Sequence, residues 1–258
     1  MRGTSMIFKR AVAKLRAQDW TAIMIELAIV IIGVFIGIQA SNWNQERAQK
    51  RETREMLVQL KPELRGLQEV SASARNYYAV TGRYADTAFA GWVRDPRVSD
   101  EQFVIAAYQA SQVYGFNENG ASWALVFGAS ELRNIDDLRV REPLTRLMTF
   151  EYDFLNYTAV TTRYRDEVRE LIPNDIQEQI RTACGDKFGA DTRKFSLTAP
   201  CPLHLSRDEA QRTAASLRQH TELPRLLRLH RSTVAAYISN LDTFDSQVGL
   251  LVDRISKL

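Results

Sequence analysis

A single apolar run near the N-terminus constrains this chain more than any other feature of its sequence. Residues 21–40, TAIMIELAIVIIGVFIGIQA, contain one charged residue, Glu26. As an α-helix this run would be about 30 Å long at about 1.5 Å per residue, which matches the hydrocarbon thickness of a bilayer. The run therefore predicts a transmembrane helix.

The flanks of the run support a membrane-spanning helix over 20–43. Trp20 and Trp43 stand at its two ends, where indole rings favour the layer of lipid headgroups. The basic segment 1–19 is predicted to lie at the cytoplasmic face, either as an amphipathic helix against anionic lipid or as a frayed tail. A cleaved secretion signal is disfavoured because its apolar region usually has about 7 to 15 residues.

The orientation of the span depends on the two cysteines, because basic residues are divided almost evenly between its flanks. Cys184 and Cys201 enclose sixteen residues in a segment with several glycines and prolines. This spacing favours a disulfide, which forms in an oxidising compartment. We therefore expect a cytoplasmic N-terminus and a C-terminal domain outside the cytoplasmic membrane. Two free thiols in a cytosolic domain are the alternative.

Residues 44–258 are predicted to form one all-α domain, a helical bundle with long helices. Its first helix carries a seam of residues spaced alternately three and four apart, and we expect Pro62 to kink or restart it. Ser99 with Gln102, and Ser206 with Glu209, are typical capping boxes. The seam consists of Leu57, Leu60, Leu64, Leu67, Ser71, Ala74 and Tyr78.

Further along the chain, the apolar pattern predicts one long helix from about 136 to 172 and another from 223 to the C-terminus. A turn is expected at 115–120 and a short helical piece at 123–127. The segment 184–202 is the least helical part, and patterns typical of strands are nearly absent.

Charge and motifs disfavour several functions. The formal charge of +3 is accounted for by residues 1–43, so the neutral remainder disfavours nucleic-acid binding, which needs a basic surface. His204, His220 and His230 match no metal-ligand spacing, and no phosphate loop or nucleophile elbow occurs. We therefore expect no enzyme activity, no metal and no cofactor. An enzyme site assembled from scattered helical carboxylates is a weaker alternative.

Small residues and one acid share a face of the predicted span. Gly33 and Gly37 form a GxxxG pair, and Glu26 and Ala40 fall close to the same face. Small residues allow another transmembrane helix to approach closely. Glu26 lies about 9 Å beyond Trp20 by helical rise, where a carboxyl group faces protein or water, takes up a proton, or extends to the interface.

The spacing of Glu26, Gly33, Gly37, Gln39 and Trp43 in ELAIVIIGVFIGIQASNWN resembles the N-terminal signature of a widespread bacterial family of uncharacterised single-pass membrane proteins. A looser similarity follows in the segment that ends in ELRNIDDLRVREPL. The resemblance implies one transmembrane helix and a mostly helical domain outside the membrane, and it implies no particular activity. It also favours a shared packing role for these five residues.

These features together predict a membrane-anchored helical interaction module of the bacterial envelope. It would contact membrane lipid and bind a partner membrane protein or a second copy of itself. The alternative is a single-span sensor or energy-coupling subunit in which Glu26 is a protonatable group within the membrane.

Overall fold

The computed structural model describes residues 20–114, 132–149, 157–189 and 194–257, and helices dominate them. The predicted all-α class is therefore confirmed. A two-stranded antiparallel hairpin pairs β1 (Asp186–Phe188) with β2 (Phe195–Leu197). The helices are α1 (Trp20–Trp92), α2 (Asp100–Gln109), α3 (Leu138–Thr149), α4 (Tyr157–Val160), α5 (Arg163–Leu171), α6 (Asn174–Cys184), α7 (Arg207–Gln219) and α8 (Leu223–Ile255).

The chain divides into two units, Met1–Arg54 and Glu55–Leu258, and α1 contributes to both. Within the first unit, every residue from 24 to 50 is exposed. The apolar part of α1 has a mean hydropathy of 2.2 and none of it is buried. One helix of the described chain is thus long and apolar enough to cross a membrane.

In the second unit, the predicted seam of α1 is confirmed, because all seven of its residues are buried. Leu57, Leu64 and Tyr78, for example, are each no more than 2% exposed. The prediction that the helix restarts at Pro62 was wrong, because α1 continues through this residue. Because Pro62 has no backbone N–H group, the carbonyl oxygen of Val58 loses its helical hydrogen bond. Both residues lie on the exposed side of α1, where water can hydrate this carbonyl oxygen.

Local hydrogen bonds set the helix ends. Ser99 and Gln102 form the predicted capping box of α2, and Ser206 and Glu209 form that of α7. Two residues beyond the last residue of α1, Arg94 adopts a left-handed conformation with a φ of 56°. Such a conformation normally favours glycine because a Cβ atom crowds the carbonyl oxygen.

The single long helix expected over 136–172 was wrong. α4 ends at Val160 and α5 begins at Arg163. Thr162 has extended backbone angles, and its Oγ1 lies 2.9 Å from Nδ1 of His230, so a tertiary hydrogen bond stabilises the break. Periodicity also missed the hairpin, whose strands have only three residues each. The pieces expected at 115–120 and 123–127 lie outside the described residues.

Two apolar clusters form the core of the second unit. One joins the seam of α1 to α3 and the inner face of α8, around Leu64 and Leu241. The other gathers α2, α5, α6 and α7 around Phe103 and Tyr164. An ion pair of Arg75 with carboxylates of α8, 3.2 Å long, also joins α1 to α8.

Two helical glycines of α1 provide a matched pair of stability predictions. A Cβ atom at Gly82 would meet nothing within 4 Å, whereas one at Gly91 would lie 2.2 Å from the buried ring of Phe103. We expect Gly82→Ala to raise the free energy of unfolding by about 1 kcal/mol, because alanine is the better helix former. Gly91→Ala should lower it by about 2 kcal/mol through overpacking. Urea unfolding measures both, and equal shifts would contradict this packing.

Candidate functional site

The glycine face, which we define as Glu26, Gly33, Gly37 and Ala40, lies on the exposed first part of α1. At 3.6 residues per turn these four positions fall within an arc of about 60°. A Cβ atom at either glycine would meet no atom within 4 Å. The structure therefore places the predicted residues together on an open surface whose shape would admit the backbone of another helix.

Both predicted interface anchors are exposed. Trp20 is 69% exposed and Trp43 is 56% exposed. The guanidinium group of Arg47 lies 3.6 Å from the ring centroid of Trp43, which is a cation–π contact. At the end of an apolar helix, an aromatic ring stacked under a cation is typical of the interface between lipid and water.

The predicted disulfide between Cys184 and Cys201 is present. Cys184 is the last residue of α6 and is fully buried, and its carbonyl oxygen accepts a 2.7 Å hydrogen bond from the side chain of Gln109. Cys201 lies in the segment between the hairpin and α7. The bridge therefore fixes the C-terminal end of α6 beside this irregular segment.

A polar layer lies where the two apolar clusters meet, and sequence patterns did not predict it. At its centre is His230 of α8, which is only 2% exposed. Its Nδ1 lies 2.9 Å from Oγ1 of Thr162, and its Nε2 is buried. Burial, and next the charge of Arg165, lower the pKa of His230 to about 4. The ring is therefore neutral at pH 7.

Two neighbouring tyrosines of α1 extend the polar layer. Tyr77 donates a 2.8 Å hydrogen bond to the carboxylate of Asp186 in β1. Tyr78 donates to the carbonyl oxygen of Tyr114 at 2.6 Å. Burial is the main cause that raises the pKa of both hydroxyls, so both remain protonated donors. These hydrogen bonds attach the hairpin, and the residues that follow α2, to α1.

An arginine cluster, which we define as Arg165, Arg169 and Arg181, lies on α5 and α6. Arg169 donates to the hydroxyl of Tyr108 at 3.1 Å, and Arg181 does so at 3.4 Å. Arg169 also donates to Oε1 of Gln112 at 2.9 Å. The same oxygen atom lies 3.5 Å from Nη1 of Arg165. The positive charges of these three arginines therefore lie around two neutral side chains, Tyr108 and Gln112.

A small cleft adjoins the polar layer between α1 and α8. Its volume is about 170 Å³, slightly more than a cavity known to bind benzene. Gly82, Ala85, Ala110 and Ala235 leave this space open, and His230 forms part of its wall. Tyr78, Thr81 and Arg231 are the other polar residues of the lining.

Within the described parts of the chain, no group of three or more His, Cys, Asp or Glu side chains could hold a metal ion. No protein-family model, no curated protein and no solved structure matches this chain.

Proposed function

We propose that this chain is a membrane-anchored helical interaction module of a bacterial envelope. In this proposal α1 crosses the inner membrane between Trp20 and Trp43, with residues 1–19 in the cytoplasm and residues 44–258 in the periplasm. The observation that carries the proposal is the exposed apolar surface of α1, which no described residue of the chain covers. Such a surface is more stable against lipid than against water.

Two further observations support this arrangement. A buried disulfide at Cys184 is typical of a domain that folds in an oxidising compartment. The stacked pair of Trp43 and Arg47 suits the boundary at which the helix would leave the membrane. Membership of the bacterial family that the span signature resembles is part of the same proposal.

The glycine face is the surface that we assign to partner binding within the membrane. Lipid chains gain nothing specific from a glycine pair, whereas a second helix can approach closely and gain van der Waals contacts. Glu26 lies near the centre of this arc by helical geometry. A polar group from a facing helix would satisfy its carboxyl group better than lipid would.

The double variant Gly33→Leu/Gly37→Leu tests this surface. We expect at least a tenfold loss of the complex that co-purifies in mild detergent, because two leucine side chains would separate the helix backbones. The matched control is Ile31→Leu/Phe35→Leu, which lies on the opposite side of the helix and should leave assembly unchanged. Mass photometry and mass spectrometry of the purified complex would distinguish a second copy from a different membrane protein.

Membrane placement is tested separately with the full-length chain. Alkaline carbonate should leave the protein in the membrane pellet, and alkaline phosphatase fused to its C-terminus should be active in cells. Release by carbonate, or an inactive phosphatase with a fluorescent cytoplasmic reporter at the same position, would contradict the proposal. Equal loss of assembly in the glycine variant and its control would contradict the assignment of the glycine face.

A further inference from the structure

Within the part of the chain that the structure describes, the arginine cluster makes none of the direct ion pairs that other arginines of this fold make. Arg75 pairs with two carboxylates of α8, and Arg218, whose side chain is 12% exposed, pairs with Asp100 at 2.7 Å. No carboxylate oxygen of the described chain lies within 4.0 Å of the guanidinium groups of Arg165, Arg169 or Arg181.

Crowding of like charges is evident within the cluster. Burial, and next the neighbouring charge of Arg169, lower the pKa of Arg165. The Nε atom of Arg169 is buried and has no hydrogen-bond partner among the described residues. Asp186 acts electrostatically on both Arg165 and Arg169, while its carboxylate accepts a hydrogen bond from the Tyr77 hydroxyl rather than from a guanidinium group. Positive charge partly removed from water is normally paired, and the described residues place no carboxylate in direct contact with this cluster.

The hydroxyl of Tyr108 strengthens this argument. It accepts hydrogen bonds from Arg169 and Arg181, and its own proton has no acceptor among the described residues. The ring of Tyr108 is buried and lies 4.6 Å beneath the guanidinium group of Arg169. Unused guanidinium donors and one free hydroxyl proton are the groups that bind oxyanions.

Capping of the C-terminal end of α2 accounts for the position of only one of the three arginines. Arg165 donates to the carbonyl oxygen of Ser111 at 2.7 Å, just beyond the C-terminal end of α2, where a cation is favourable. Arg169 and Arg181 make no such contact with that end, since their partners are side chains. Their convergence on Tyr108 therefore needs a different explanation.

Buried hydrogen bonds hold the elements that carry the cluster. The side-chain amide of Gln177 in α6 donates to the carbonyl oxygens of Arg169 and Ile172, both at 2.7 Å. Gln109 of α2 donates to the carbonyl oxygen of Cys184, at the end of α6 that the disulfide fixes. The cluster on α5 and α6 and the neighbouring Tyr108 of α2 are thus preorganised, as a binding site requires.

We propose that Arg169, Arg181 and the hydroxyl of Tyr108 bind a small oxyanion, a carboxylate or phosphate group, with Arg165 adding charge nearby. A guanidinium group can donate two parallel hydrogen bonds to either anion. This function goes beyond membrane anchoring and needs no partner helix, so its failure would leave the proposed function intact.

The experiment measures thermal midpoints of the full-length protein in detergent as inorganic phosphate or acetate replaces chloride at constant ionic strength. The wild type should show a saturable rise with at least one of the two anions, and Arg181→Gln should weaken the apparent affinity at least tenfold. Arg181 is exposed, so its replacement should not prevent folding. A rise with phosphate alone assigns a phosphate group, and a rise with acetate alone assigns a carboxylate.

The control is Arg163→Gln on α5, whose guanidinium group pairs with Glu167 outside the cluster. It should retain the wild-type response. Arg169→Gln should lose the response as Arg181→Gln does, and if that variant does not fold, Arg181→Gln alone decides. Identical midpoints in phosphate, acetate and chloride would overturn the proposal, and so would equal losses in Arg163→Gln and Arg181→Gln.

Discussion

Removing the disulfide between Cys184 and Cys201 should lower the free energy of unfolding by about 3 kcal/mol, the loop-closure value for a loop of roughly this length. The two residues are 17 positions apart. Without the bridge, the unfolded chain gains conformational entropy, and the C-terminal end of α6 loses its covalent link to the segment before α7. Urea unfolding of Cys184→Ala/Cys201→Ala, compared with the wild type, gives this difference.

A reducing agent provides the control for this prediction. Dithiothreitol should destabilise the wild type by a similar amount and leave the double-alanine variant unchanged, because the variant has no bond to reduce. Thiol titration of the unfolded wild type, isolated without reductant, should find no free cysteine. Two free thiols would contradict both the stability prediction and the argument for a periplasmic domain.

Acidification should destabilise the fold through His230, by about 3 kcal/mol between pH 6.5 and pH 4. The folded pKa is about 4, whereas an unfolded histidine titrates at about 6.5. Below pH 6.5 the unfolded state binds a proton that the folded state does not, so stability falls as the pH falls. Below about pH 4, the folded pKa, no further stability is lost through this residue.

His230→Gln isolates this effect from the carboxylates that titrate in the same range. The difference in unfolding free energy between variant and wild type should change by about 3 kcal/mol between pH 7 and pH 4. His204→Gln, at an exposed position, is the control for loss of a histidine outside the polar layer. A difference between His230→Gln and the wild type that is independent of pH would mean that His230 is not the buried neutral group described above.

Local patterns allowed the correct prediction of those parts of the fold that local physics determines. The seam from Leu57 to Tyr78 is buried because its spacing keeps one side of a helix apolar. The capping boxes at Ser99 and Ser206 formed because their hydrogen bonds connect residues three positions apart. The glycine face follows from helical geometry alone.

The break at Thr162 and the arginine cluster could not be predicted in this way. Thr162 is held in an extended conformation by a hydrogen bond to a histidine 68 residues away. Tyr108 meets Arg169 and Arg181 across 61 and 73 residues of sequence. Such contacts depend on how the helices pack, and an arginine of this cluster has the same sequence signal as one on a solvated surface.

The buried seam of α1 also limits how the length of this helix can change. Each inserted residue turns the following part of an α-helix by about 100°, so one extra residue between Leu57 and Tyr78 would direct the later seam positions toward solvent. Seven inserted residues leave a net rotation of only about 20°. Insertions and deletions in this stretch should therefore be tolerated in multiples of seven residues and rejected singly.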